Sequence, residues 1–169
     1  MSVSRPHSAS GDVPTSTNVR RNCTRLINLL VPVIQEVEKY QAPFDFSILT
    51  INVEAVPAFI SSNIGALSCH KSTIESNHEK LGIIRATIQH MLDSDQYAAD
   101  HETLEEYVIH RNVDNILSSV DQRTLPLLKM RLNELAAMNQ ADKGAMQADL
   151  SRIASSSPLS IKPLNSIIP

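Results

Sequence analysis

Cysteine and histidine lie close together in one predicted helix, and side chains of these types can bind a metal ion. Cys69 and His70 are adjacent, and His78 follows His70 by eight residues. Adjacent residues of a helix point to different sides, and eight residues span about two turns, so this helix cannot place all three around one ion. We therefore expect no metal site and no cofactor.

A second candidate for zinc chemistry begins at His101, where the sequence reads His-Glu-Thr-Leu-Glu. The zinc motif that this segment partly matches requires a second histidine, which Glu105 replaces. Glu102, Glu105 and Glu106 fit better as first-turn residues, because carboxylates are favourable at a helix N-terminus. The four glycines are isolated, so no phosphate-binding loop is predicted. Since no serine or cysteine has a recognisable activating base nearby, we expect a protein that is not an enzyme.

The composition of the chain favours helices packed against helices. Its 169 residues include three Phe, three Tyr and no Trp, whereas β-strands are enriched in aromatic residues. We therefore expect an all-α fold, an elongated helical bundle with coiled-coil-like helices. The expected divisions are a flexible, disordered N-terminal tail over residues 1–16, a helical domain over residues 17–154 and an extended C-terminal docking segment over residues 155–169.

The sequence also indicates a cellular compartment. The start of the chain does not resemble a secretory signal, and no apolar run is long enough to span a bilayer. The two cysteines do not suggest a disulfide framework. The expected location is therefore cytoplasmic, with the nucleus as the alternative.

Charge is unevenly distributed along the chain, although the net charge is only −3. Residues 93–106 contain six carboxylates and no Lys or Arg, which is typical of a solvated connection. Arg20, Arg21 and Arg25 form the only basic cluster of the sequence. Nucleic-acid binding normally requires a larger one-sided basic patch, so we do not expect it.

A heptad repeat is the strongest pattern in the sequence. Between residues 60 and 92 an aliphatic residue recurs at every seventh position, and we call these five residues the heptad seam: Ile60, Leu67, Ile74, Leu81 and Ile88. The positions three residues further on are Asn63, His70, Asn77, Ile84 and Met91. A shorter apolar stripe with spacings of four and three follows in the last predicted helix, at Leu128, Leu132 and Leu135. Such patterns are typical of helices in bundles and coiled coils.

The heptad seam predicts contacts between protein subunits. One helix over this region would be about 50 Å long, which is more than the rest of a small chain can cover. Its apolar residues would then bind other helical subunits in a homo- or hetero-oligomer, and Asn63, His70 and Asn77 would form polar layers that select the partner. The alternative is that the seam forms the interior of a self-contained four-helix bundle.

The first two predicted helices cover about residues 17–40 and 58–92. Pro32 should kink the first of them or divide it after Leu30, because proline lacks the N–H that the helix needs. Gly82 in the second helix allows a close approach of another helix. Residues 44–56, which lie between them, are ambiguous between a short strand and a helical turn.

The remaining two predicted helices follow the acidic stretch. The third covers about residues 100–120 and is expected to begin at an Asp100 cap. The fourth begins soon after residue 120, with Asp121 or Thr124 as its cap. Gly144 either ends this helix or lies inside it as a weak point.

These observations predict a non-enzymatic scaffold subunit that associates through heptad-patterned helices in a multi-protein complex. The organisation is like that of small helical subunits of cytoplasmic assemblies, which is an analogy of architecture. One alternative is a monomeric helical adaptor that presents residues 158–169, or the arginines Arg20, Arg21 and Arg25, to a protein or nucleic-acid partner. Another is a viral structural protein.

Overall fold

The computed structural model describes residues 14–155, and all regular structure in that range is helical. The all-α class is therefore confirmed for this part of the chain. Most of the predicted tail and nearly all of the predicted docking segment, residues 1–13 and 156–169, lie outside the described residues. The α-helices are α1 Ser16–Glu38, α2 Ser47–Ile51, α3 Val56–Leu92, α4 His101–His110, α5 Val113–Ser119 and α6 Leu125–Ser155.

Three shorter helical turns connect these elements. The 3₁₀ turns Val53–Ala55 and Asp95–Asp100 precede α3 and α4. The π-helical turn Val120–Thr124 joins α5 to α6 without a break in the helix.

Helices α1 and α3 run antiparallel and form the centre of the bundle. An aromatic cluster joins the end of α1 to the start of α3, since the ring centroid of Phe44 lies 6.0 Å from that of Tyr40 and 6.0 Å from that of Phe59. Helix α6 also packs along α3. At the other end of α3, Arg85 Nε pairs with Asp114 Oδ1 at 2.6 Å and holds α5 against it. Buried apolar side chains from α1, α3, α4, α5 and α6 thus form one core.

Proline does not divide the first helix. The N-cap of α1 is Thr15, whose hydroxyl oxygen accepts a hydrogen bond from the backbone amide of Asn18, and the helix continues from Ser16 through Pro32 to Glu38. The predicted division after Leu30 is therefore wrong. Leu30 and Val37 are both buried on either side of the proline, so tertiary packing holds the helix across it.

The ambiguous segment between the first two long helices is helical. Asp45 Oδ1 accepts the backbone N–H of Ser47 at 2.9 Å and starts the short helix α2. Leu49 in α2 is buried against Val56 and Ile60 of α3. The helical-turn alternative is therefore correct, because the segment gains more from this apolar contact than a strand without a partner strand would.

The predicted third helix is instead two helices. α4 ends at His110, and α5 starts at Val113 after Asn112, whose φ of 51° is left-handed. Asparagine tolerates this conformation better than most residues, and a single such residue breaks a helix. Asp100 does stand at the N-cap position of α4, but its carboxylate accepts the hydroxyl of Ser16 at 2.6 Å rather than an amide of α4.

Two further expectations about helix geometry are wrong. The last helix has no capped start, because it continues from the π turn, where the Thr124 hydroxyl donates to the carbonyl of Ser119 at 3.4 Å. No helix within residues 14–155 lies close to Gly82, since a methyl group added there would meet no described atom within 4 Å outside its own helix backbone. Gly144 lies inside α6 and does not end it.

Candidate interaction surface

The heptad seam lies inside the chain's own core. All five of its side chains are buried, four of them completely, against α1, α6 and the helices between them. Leu128 and Leu135 of α6 are also fully buried, while Ile84 and Leu132 are half-buried beside them. These residues would contact another subunit only if α1 or α6 moved away. Their burial is what we expect from the alternative stated above, in which the seam forms the interior of a self-contained bundle.

Two of the three residues of the predicted polar layers make hydrogen bonds within α3. The side-chain amide of Asn63 donates to the carbonyl of Phe59 at 2.9 Å, and that of Asn77 donates to the carbonyl of Thr73 at 2.8 Å. His70 is half-buried on the same helix. Each amide therefore donates one of its hydrogen bonds one turn back along its own helix.

A buried arginine, which the sequence analysis did not single out, connects α6 to the end of α1. Arg131 is only 2% exposed. Its Nε donates to the carbonyl of Tyr40 at 2.7 Å and its Nη2 to the carbonyl of Gln41 at 2.6 Å. The sequence did contain a signal for the burial of Arg131. It lies three residues after Leu128 and four before Leu135, and that spacing places it on the buried face of α6.

The basic cluster of α1 is split between two faces. Arg21 and Arg25 line a shallow concavity of about 690 Å³ together with Asn18, Asn22 and Asn28. Arg20 instead faces α4, where it lines a different pocket. The three arginines that are neighbours in sequence therefore do not form one patch.

A cleft of about 310 Å³ lies between the outer faces of α1 and α3. Leu26 and Ile84 form its apolar floor, with Leu26 buried and Ile84 half-buried. Ile83 at its edge is 61% exposed. Arg25 and Lys80 stand on either side, and neither pairs with a carboxylate among the described residues. We call this surface the α1–α3 cleft.

The apolar surface continues next to the α1–α3 cleft. Leu29 lies one turn beyond Arg25 on α1 and is 48% exposed. Large aliphatic side chains that remain exposed beside an apolar floor are typical of protein interaction sites. The cleft and Leu29 therefore form the best candidate for a docking surface on the long sides of the bundle.

A second apolar surface lies around α2. Ile48, Ile51 and Val53 are 64%, 88% and 67% exposed, although the intervening Leu49 is buried. Acidic residues flank this patch in sequence, at Asp45 and Glu54. Hydrogen bonds from the side chain and backbone of Ser47 lower the pKa of Asp45, so its carboxylate stays charged.

Helix α6 extends beyond the packed core. Met138 still packs against Leu49, Val56 and Ile60, but every residue from position 140 onward whose burial is described is exposed. This part of α6, residues 140–155, is about 24 Å long at 1.5 Å per residue. Its helical conformation continues from the packed part of α6 and so needs no separate nucleation.

Metal-binding clusters and membrane-spanning helices were also sought in the described residues. No three His, Cys, Asp or Glu side chains within residues 14–155 are placed to hold a metal ion. None of the helices in this range is both long and apolar enough to cross a membrane. The candidate functional sites of the described residues are therefore interaction surfaces.

Comparison with known proteins gives no relative from which a function could be transferred. No family model matches the chain, and no significant match was found among curated proteins or solved structures.

Proposed function

We propose that this chain is a non-enzymatic structural subunit that binds a helix of another protein within a multi-protein complex. The observation that carries this proposal is the α1–α3 cleft, with its apolar floor, its exposed aliphatic edge and two cations that pair with no carboxylate in the described part of the chain. The partner that fits it is an amphipathic helix whose apolar stripe is flanked by Asp or Glu. This is the helix-in-groove mode of recognition.

Burial of the exposed aliphatic residues supplies the affinity. Covering a side chain such as Leu29 or Ile83 contributes about 1.5–3 kcal/mol at most, because both are already partly buried. Arg25 and Lys80 add charge complementarity, which mainly sets the association rate and the orientation of the partner. The partner would thus contact the outer face of α3, while the heptad seam on the inner face holds the bundle together.

The cysteines fit the expected compartment. Cys23 and Cys69 are both free thiols. Free thiols persist in a reducing environment, so we place the complex in the cytoplasm or the nucleus.

A designed peptide tests the docking surface directly. The probe is a synthetic amphipathic helix with a Leu stripe flanked by Glu, and a version with Lys in place of each Glu is the charge control. We expect the Glu peptide to shift the amide NMR signals of Arg25, Lys80 and Ile83, and the Lys peptide to bind at least tenfold more weakly. Equal binding of both peptides, or shifts confined to other surfaces, would contradict the proposal.

Matched variants distinguish specific binding at the α1–α3 cleft from non-specific hydrophobic binding. Ile83→Asp places a charge at the edge of the cleft, whereas Ile109→Asp does so on α4, where Ile109 is similarly exposed at 68%. Only Ile83→Asp should abolish peptide binding, and both variants should remain folded because neither residue is buried. The same two variants can be used to test the binding of any partner that is purified with the protein from cells.

One observation favours the adaptor reading as a second candidate. The concavity with Arg21, Arg25 and three asparagines offers cations and amides that suit an acidic protein or a nucleic-acid backbone. Such binding would weaken steeply with salt and would be lost in Arg21→Gln with Arg25→Gln. Binding to the Glu peptide that is insensitive to Arg21→Gln would favour the cleft over this second candidate.

A further inference from the structure

A pocket of about 460 Å³ lies between α1 and α4, on a different face of α1 from the α1–α3 cleft. One arginine comes from α1, and the remaining residues come from α4 or its C-terminal end. The lining residues are Arg20, Thr103, Glu106, Tyr107, His110 and Arg111. Residues 103, 106, 107 and 110 share one face of α4, because they are spaced by three and four.

The backbone of Arg20 is fixed beside α4 by hydrogen bonds. Its carbonyl accepts the hydroxyl of Tyr107 at 2.8 Å and the hydroxyl of Thr24 at 3.1 Å. The two hydroxyl oxygens also lie 2.5 Å apart. The position from which the Arg20 side chain leaves α1 is therefore set by contacts to α4.

The guanidinium of Arg20 has an unsatisfied donor. Its Nε is shielded from solvent and has no hydrogen-bond acceptor among the described residues. A buried charged donor without an acceptor is unfavourable, and native structures usually provide a partner for it. Because this Nε is closed to solvent, an anion in the pocket would instead contact the Nη groups of Arg20 and stabilise the buried charge through them.

A second guanidinium lines the same pocket. Arg111 lies over the ring of Tyr107, with its central carbon 6.0 Å from the ring centroid. Neither Arg20 nor Arg111 pairs with a carboxylate in the described part of the chain. Thr103 and His110 add further donors. A phosphoryl group has enough oxygens to accept from several of these donors at once, and guanidinium groups match its geometry.

The remaining residue of the pocket constrains the rest of the ligand. Glu106 carries a carboxylate, which repels a bare anion but accepts hydrogen bonds from hydroxyl groups. The pocket is also larger than a phosphate ion requires. We propose that it binds a small phosphate monoester that carries hydroxyl groups, with the phosphoryl group at Arg20 and Arg111 and a hydroxyl at Glu106.

NMR titration of the full chain with glycerol phosphate, at constant ionic strength, tests this assignment. We expect the Nε–H signal of Arg20 and the amide signals of Thr103 and Arg111 to shift in a saturable way. Arg111→Gln should weaken binding about tenfold or more. Arg21→Gln removes the same charge from the neighbouring residue, which lies outside this pocket, and should change the affinity less than twofold. Equal losses in the two variants would overturn the proposal.

Two further comparisons distinguish a built site from general attraction of anions. Arg20→Lys keeps the charge but removes the planar guanidinium and its paired Nη donors, so it should weaken binding almost as much as Arg20→Gln. Inorganic phosphate should bind more weakly than glycerol phosphate, and Glu106→Gln should reduce that difference. If Arg20→Lys binds like the wild type, or if the two phosphates bind equally, the assigned ligand class is wrong. The proposal is independent of the helix-docking function, since Ile83→Asp should leave glycerol phosphate binding unchanged.

Discussion

Arg131 on α6 donates a hydrogen bond from Nε to the carbonyl oxygen of Tyr40 at 2.7 Å, across 91 positions of sequence. Its Nη2 donates to the next carbonyl, that of Gln41. These carbonyls follow the end of α1, where backbone oxygens lack intrahelical donors and carry partial negative charge. The buried cation thus ties α6 to the end of α1, and Glu134 on the next turn of α6 accepts from its Nη1.

Removal of this cation should destabilise the fold strongly. Arg131→Met leaves two carbonyls and the partly buried Glu134 without their donor, so we expect a loss of about 3–5 kcal/mol in the free energy of unfolding. Urea denaturation followed by circular dichroism measures it. Lys129→Met on the exposed side of α6 is the matched control and should change stability by no more than about 0.5 kcal/mol. A loss below about 1 kcal/mol for Arg131→Met would show that the contact contributes little.

Truncation of two nearby aliphatic residues of α3 should change stability by very different amounts. Leu81→Ala opens a cavity in the core of the single chain and should cost about 2–5 kcal/mol. Ile83→Ala, two residues away on the exposed face, should change stability by about 0.5 kcal/mol or less. Thermal denaturation at several protein concentrations checks both. A midpoint for the wild type that rises with concentration would instead mean that the heptad seam is buried between subunits.

Alanine at Gly82 should stabilise the protein. The added methyl group meets no atom within 4 Å outside its own helix backbone, and the position is in the middle of α3. Replacing a helical glycine in open space raises stability by about 0.4–1 kcal/mol, mainly because the unfolded chain loses freedom. Gly65→Ala meets the same conditions and should add a similar amount. A destabilised Gly82→Ala variant would indicate that another molecule packs closely there.

Stability should decrease at alkaline pH. Burial raises the pKa of the Cys23 thiol above its ordinary value of 9.0 and the pKa of the Tyr107 phenol above its ordinary value of 10.0. Folding therefore favours the protonated forms, so their contribution is complete below those ordinary values and is lost as the pH rises through the folded-state values. We expect a level urea midpoint to about pH 8.5 and a decline above it.

Variants assign this decline to the two groups. Cys23→Ala with Tyr107→Phe removes both titrating groups, so its urea midpoint should fall less between neutral and alkaline pH than that of the wild type. The comparison is between the slopes, because both substitutions also change packing and lower stability at every pH. Parallel curves for wild type and variant would mean that other groups cause the decline.

Local features of the sequence accounted for much of the secondary structure. The spacing of apolar residues correctly indicated α1 and α3, and the absence of a second strand favoured a helical turn over residues 44–56. The division of α1 after Leu30 was predicted wrongly because local propensity ignores the packing of Leu30 and Val37 on both sides of Pro32. The break at Asn112 was missed because the apolar period continues across it, whereas its left-handed φ is a backbone property.

The candidate surfaces depended on how the helices were assembled. The positions of Arg25 and Ile83 are 58 residues apart in sequence, and only the antiparallel packing of α1 on α3 places them at one cleft. The split of Arg20 from Arg21 and Arg25 likewise follows from the contact of Arg20 with α4. Neither relation has a periodic signal in the sequence, because both involve residues on separate elements.

The sequence by itself determined that the chain is helical and which faces of its long helices are apolar, because helical period and composition are local properties. Only the tertiary structure decided what covers those faces. A heptad seam requires an apolar partner but does not specify whether it belongs to the same chain, since burial is favourable in either case. The fold resolved this by bringing α1 and α6 onto the seam and by leaving Leu29 and Ile83 exposed on the outside.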